Sequence, residues 1–280
     1  MQTNSRTEVR RGGGATALRY LAADGLGFGY FTEPSRRLHD AANARAILMA
    51  DRGRVRVGKS VLELGCGDGR SALMLARRFG CRVTALDANP ANLAAARSAV
   101  VQRDMEDRVT LLDRPVDDTG FGHATFDSVM VSEPCRAVAD KGALVGEAAR
   151  VLRPGGRLLL CDVVVLRPLE VGAKEERTQV VHWLRMLLGR ARMVASASYA
   201  SMCVDAGLEV QRIDDLTSKV LPTIECWKAR AEEHRAQAIE ALGEPRFREF
   251  LRACDRMEGL FRDGVLGYGL IAADKPSYLH

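Results

Sequence analysis

The sequence predicts an α/β fold built on a doubly wound, mostly parallel sheet, and three observations carry that expectation. Short apolar runs alternate with longer stretches of helical period from about residue 57 to 163, the pattern of strands covered by helices on both faces. One such run, Val61-Leu62-Glu63-Leu64, opens directly onto Gly65-Cys66-Gly67-Asp68-Gly69, and a helical stretch follows. A second run, Arg82-Val83-Thr84-Ala85-Leu86, ends in Asp87, twenty positions after Gly67. Strand, glycine turn, helix, strand and acid, in that order, make a βαβ unit that holds a nucleoside-containing ligand.

Each element has its own reason. A helix over 35–50 carries Leu38, Ala41, Ala42, Arg45, Ala46 and Met49 at helical spacing and closes on Gly53. A strand over 57–64 leads into a helix over 70–79, a strand over 82–86 and a helix over 90–101 that begins with proline. Strands over 108–112 and 126–131, a helix over 140–152 and a strand over 157–163 complete the alternation. Two apolar helical stretches interrupt it. One, over 174–190, presents Val180, Val181, Trp183, Leu184, Leu187 and Leu188; the other, over 222–261, presents Trp227, Phe247, Phe250, Met257, Leu260 and Phe261. Insertions after strand carboxyl ends are placed to roof the ligand crevice, which is the role expected of both.

The glycine spacing selects the ligand. A dinucleotide site needs G-x-G-x-x-G, but Arg70 stands where its third glycine would be, so pyrophosphate is disfavoured. Glu63 would repel phosphate and attract an ammonium group. At this turn the chain resembles the class I S-adenosylmethionine-dependent methyltransferases, whose cofactor carries an amino acid end, a sulfonium and a ribose but no phosphate. The resemblance continues through Phe126-Asp127-Ser128-Val129-Met130-Val131, the step Leu152-Arg153-Pro154-Gly155-Gly156, the stretch Tyr199 to Val210 and the closing run Gly267 to Pro276. Phe28-Gly29-Tyr30-Phe31 and Asp214-Asp215-Leu216-Thr217 resemble segments of the small-molecule enzymes of tocopherol, ubiquinone and natural-product methylation.

That resemblance implies a Rossmann-like, seven-stranded sheet with helical cap insertions, and methyl transfer to a small apolar or aromatic metabolite by in-line displacement. It implies cofactor contacts at Tyr30, Glu63, Gly65, Cys66, Gly67, Asp87, Ala88, Asn89, Val116 and Ser132. Where relatives read G-D-A, this chain has Arg114-Pro115-Val116, with Asp113, Asp117 and Asp118 near by, so the adenine partner is left open. A histidine that relatives carry after the fourth strand is Ala137 here. The candidate bases are therefore His39, Glu133 and His182, since histidine and glutamate are tuned to accept a proton near neutrality. Two other readings stay open: methylation of RNA or protein, and a non-catalytic cofactor-binding protein.

Composition bounds the rest. Residues 15–280 are expected to form one domain after a disordered leader over 1–14, with a cofactor core over 55–165 and caps over 166–195 and 217–264. No run reaches the ~20 apolar residues needed to cross a bilayer, and the polar N-terminus has no apolar signal segment, so a cytoplasmic protein is expected. The seven cysteines include no C-x-x-C pair and the five histidines show no ligand spacing; neither disulfides nor metal are expected. A net charge of +5 with 5% aromatic residues is poor for base stacking, so nucleic acid is not the expected partner. A homodimer is left open.

Overall fold

The computed structural model describes residues 27–33, 37–136, 138–168, 174–189 and 192–277, without side chains for 174–177. The leader expected over 1–14 lies outside the described residues. A helix α1 (Leu38–Arg52) precedes strand β1 (Ser60–Leu64). Then come α2 (Arg70–Phe79), β2 (Arg82–Leu86), α3 (Pro90–Val101), β3 (Val109–Leu112) and β4 (Phe126–Ser132). A single turn over Pro134–Arg136 leads to α4 (Lys141–Val151) and the long β5 (Leu152–Val165). The first cap helix is α5 (Lys174–Leu188), followed by α6 (Ser196–Asp205) and β6 (Glu209–Asp215). A short α7 (Thr217–Val220), then α8 (Pro222–Glu233), α9 (Arg235–Leu242) and α10 (Glu244–Arg262), precede β7 (Leu266–Asp274).

The strands form one seven-stranded sheet in the order β3-β2-β1-β4-β5-β7-β6. The first five are parallel, and β7 runs antiparallel to both its neighbours. Parallel strands are buried on both faces, which explains why they read as nearly unbroken apolar runs. Val61, Val83 and Ala85 face one core cluster, while Leu62, Leu64 and Leu86 face the other. β6, one of the two edge strands, keeps Glu209, Gln211 and Arg212 in solvent. The chain winds outward through β2 and β3 on one side of β1 and through β4 and β5 on the other. The crevice at the carboxyl ends of β1 and β4 is therefore the switch point where such sheets bind ligands.

Boundaries moved where local chemistry decides them. The strand expected from residue 57 starts at Ser60, because Gly58 turns with a positive φ of 79° and Val57 is left exposed. β5 begins at Leu152 rather than 157, because the Leu152-to-Gly156 step pairs with neighbouring backbone instead of forming a free loop. Phe126 registers with Leu152, and a Cβ on Gly156 would lie 2.9 Å from Asp127 O. The Lys275 ammonium caps α4 by donating to Ala149 O at 2.7 Å and Leu152 O at 2.8 Å. The insert over 222–261 resolves into three helices, with breaks at His234 and Gly243.

α8 and α10 pack over Phe28, whose ring lies 5.2 Å from Trp227, 5.7 Å from Phe261 and 5.3 Å from Tyr268. Backbone bonds hold this N-terminal segment to the helices beside it: Tyr30 N donates to Ala41 O and Phe31 N to Lys219 O, each at 2.8 Å.

Candidate active site

The glycine turn is held open by the two strands beneath it. Gly65 N and Cys66 N both donate to Leu86 O, at 2.8 and 2.9 Å, which fixes the turn to the end of β2. Gly67 adopts a φ of 59°, and a Cβ placed there would meet nothing within 4 Å, as is also true of Gly65. The absent side chains therefore leave ligand space rather than packing space. Gly69, at φ 74°, is different: its Cβ would lie 2.8 Å from the Cβ of Ala96, so this glycine lets α2 and α3 approach each other.

Two carboxylates flank the turn in contrasting environments. Asp87 accepts from Gly67 N and Asn89 N, each at 2.8 Å, and from the Asn92 amide at 3.1 Å. A carboxylate offers about four lone-pair sites, so a place remains for a ligand hydroxyl. Glu63 is buried, and burial pushes its carboxyl up to about 7 against the opposing pull of the Ser71 hydroxyl and the Arg45 charge. Its Oε1 accepts from Ser71, whereas its Oε2 is buried with no hydrogen-bond partner. An orphaned acid oxygen and two glycines facing open space fit a ligand with a cationic amino acid end and a ribose.

These residues open onto a cavity of about 1180 Å³. Of the expected cofactor contacts, Gly65, Gly67, Asp87, Ala88, Asn89, Val116 and Ser132 line it. Glu63 and Cys66 sit behind the turn, and Tyr30 packs half-buried against the core beside Phe28. Asp117 lines the cavity with Pro115 and Val116, while Arg114 turns away to donate to Thr119 O and stack over Phe121. An acid thus borders the cavity within the segment where G-D-A was missing.

The three candidate bases have different fates. His39 is exposed on α1, bonded to Asn43 at 3.2 Å and Arg70 at 3.3 Å, and does not line the cavity. The inward face of α1 is taken up by Ala41, Ala46, Met49 and Ala50 in the core, so the helix sends Arg45 rather than His39 toward the site. Glu133 does line the cavity, yet its Oε1 is committed to the Arg45 guanidinium, Phe28 N at 2.8 Å and the Tyr268 hydroxyl at 3.2 Å. This network holds Glu133 at a φ of 55°, a conformation a non-glycine residue keeps only when its surroundings enforce it. His182 lines the cavity from α5, its Nε2 2.6 Å from Glu249 Oε1 on α10.

Sequence reasoning missed the support beneath this site. Asp162 is fully buried in β5, where burial pushes its carboxyl up to about 6 against bonds from Cys135 N and Tyr199. Through Cys135 it secures the turn that carries Pro134 and Arg136 along the cavity. The available signal was a lone acid inside the apolar run Leu158 to Val165. Arg45 and Tyr268 gave no such signal, because their partners are remote in sequence; Asn92, only five residues after Asp87, was overlooked.

A family model described as a methyltransferase domain matches residues 61–156, the part that holds the turn and Asp87. Over 263 residues the chain is 28% identical to the 27-O-demethylrifamycin SV methyltransferase of Amycolatopsis mediterranei (strain S699), covering 94% of each protein. It is 30% identical over 208 residues to the methyltransferase GfsG of Streptomyces halstedii, covering 74% of this chain and 73% of that protein. The cyclopropane synthase MmaA2 of Mycobacterium tuberculosis superposes with a TM-score of 0.82 at 16% identity, over 92% of this chain and 94% of that one, a likeness of fold. The open glycine turn, the acid at the end of β2 and these relatives agree: the chain belongs to the S-adenosylmethionine-dependent methyltransferases that act on small molecules.

Proposed function

We propose that the protein methylates a hydroxyl oxygen of an apolar natural product, with His182 taking the hydroxyl proton. The pairing of His182 Nε2 with Glu249 Oε1 at 2.6 Å carries this reading. A carboxylate partner fixes the proton on Nε2, leaves Nδ1 as the acceptor and stabilises the imidazolium once it forms. Of the three candidate bases, His39 does not line the cavity and Glu133 is committed to a buried cation, which favours His182. The relative whose name specifies 27-O-demethylrifamycin SV acts on an oxygen, in keeping with this choice.

S-adenosylmethionine, when bound, supplies a methyl group made electrophilic by its sulfonium. The chain's residues then have four tasks. Gly65 and Gly67 admit the ligand to the backbone, Asp87 accepts from ribose hydroxyls, Asp117 accepts from the adenine amino group and Glu63 balances the ammonium charge. Met186, Leu187, Leu188 and Leu242 supply an apolar roof that keeps water from the reacting atoms. We further place residues 166–195 and 217–264 as caps on a core over 55–165. The free cysteines, most of them buried, support a reducing, cytoplasmic location. Among the described residues no helix is long and apolar enough to cross a membrane.

The test is transfer of a labelled methyl group to a panel of hydroxyl-bearing aromatic and macrolactone acceptors, each paired with its O-blocked counterpart. Label confined to the free hydroxyl compounds is expected. Label on the blocked compounds, or on none, would overturn the oxygen assignment.

A further inference from the structure

The cavity wall contributed by α5 and α10 carries more charge than proton removal needs. Arg185 lies three residues after His182 and Arg246 three residues before Glu249, and all four line the cavity. Residues three apart share a helix face, so each arginine springs from its helix only about 4.5 Å of axial rise from the histidine or the glutamate of that contact. Among the described residues neither arginine has an ion-pair partner. Several other cations of the caps are neutralised: Lys228 by Asp255 and Glu258, Arg248 by Glu244, Arg262 by Glu258. Arg246 even has Glu249 at pairing distance in sequence, yet that carboxylate is given to His182.

We infer that Arg185 and Arg246 recognise an anionic group on the acceptor molecule, close to the hydroxyl that is methylated. The inference rests on the methyl-transfer reading above and narrows it. Guanidinium pairs match the planar, bidentate geometry of carboxylate and phosphate. Two unpaired cations beside the site repel an ammonium-bearing acceptor, so amines are disfavoured as substrates. The same charges attract an anion from solution.

The test uses three naphthalene probes with the S-adenosylhomocysteine complex: 2-naphthol, 6-hydroxy-2-naphthoate and 2-naphthyl phosphate. At low salt at least one anion is expected to bind about five-fold more tightly than naphthol, as two partly exposed ion pairs allow. The better anion tells carboxylate from phosphate recognition. The preference should vanish in the Arg185→Gln, Arg246→Gln double variant, with affinity for S-adenosylhomocysteine and naphthol retained. Equal affinities, absence of saturable binding by either anion at millimolar concentration, or a preference surviving in the double variant would overturn the proposal. Failure of the wild-type chain to bind S-adenosylhomocysteine would instead count against the methyl-transfer reading.

Discussion

Gly67 and Asp87, twenty residues apart, are joined by a 2.8 Å hydrogen bond from the glycine amide to Asp87 Oδ2. The acid shapes the turn, and in the proposed function its remaining lone pairs accept from the cofactor ribose. Asp87→Ala is expected to weaken S-adenosylmethionine by roughly 1.5–3 kcal/mol, the range for a hydrogen bond to a charged group. Calorimetry on the folded variant checks this. Unchanged affinity would place the ribose elsewhere.

The neighbouring glycines should separate binding from folding. Gly67→Val puts a branched side chain into ligand space and is expected to abolish cofactor binding, with a fold cost of about 1–3 kcal/mol for its positive φ. Gly69→Ala carries strain of the same kind, at a φ of 74°, and also meets the Ala96 side chain at 2.8 Å, so about 1–3 kcal/mol more should be lost to overpacking with cofactor affinity retained. Urea denaturation read beside cofactor titration distinguishes the two. A Gly67→Val protein that binds normally would refute the placement of the turn.

The contrast between these glycines shows what the sequence made legible. Period and punctuation placed α2, β2 and α3 at their observed bounds, because each begins or ends at a residue with its own local cause, such as Gly69 before α2 and Pro90 at the start of α3. The turn and its bond to Asp87 at the edge of the cavity were legible because both lie at the ends of neighbouring strands. The buried network around Glu133 was not. Its partners Phe28, Arg45 and Tyr268 come from three distant segments, and only tertiary packing brings them together. His39 misled for the same reason: helical period gives a face, and which residue of the face reaches the crevice depends on the crossing of α1 over the sheet.

Glu63 should make cofactor binding proton-linked. Its folded carboxyl titrates near 7 instead of its ordinary 4.5, so the folded state holds a proton that the unfolded chain has released. Its contribution to stability is thus present below 4.5 and is lost as pH rises through about 7. A cationic ligand favours the ionised form. S-adenosylmethionine affinity is accordingly expected to rise between pH 5.5 and 7.5, with proton release, and to do so less for S-adenosylhomocysteine, which lacks the sulfonium charge. Calorimetry in two buffers of different ionisation heat measures the protons released. Glu63→Gln should abolish the effect, and release that persists in this variant would assign it to another group.

The ion pair between Arg45 and Glu133 should behave as a buried one, with side chains 14% and 5% exposed. Removing one partner leaves the other charge uncompensated. Glu133→Gln or Arg45→Met is each expected to cost about 3–5 kcal/mol, and the double variant that combines them clearly less than their sum. Chemical denaturation of the four proteins tests this. Additive losses would mean that the two groups act independently.

The caps should order when both ligands are present. On the proposed reading, cofactor contacts come from strand ends, while the acceptor sits under α5, α9 and α10, which supply Leu187, Leu242 and Arg246 to the cavity. Residues that must let substrate in are drawn from the less stable parts of a fold. Hydrogen exchange with S-adenosylhomocysteine alone is expected to protect the glycine turn and β2. Adding an acceptor analogue should extend protection to 180–188 and 238–250. Protection that stays at the turn with both ligands bound would remove the roof from the proposed function and favour an acceptor that meets an open crevice.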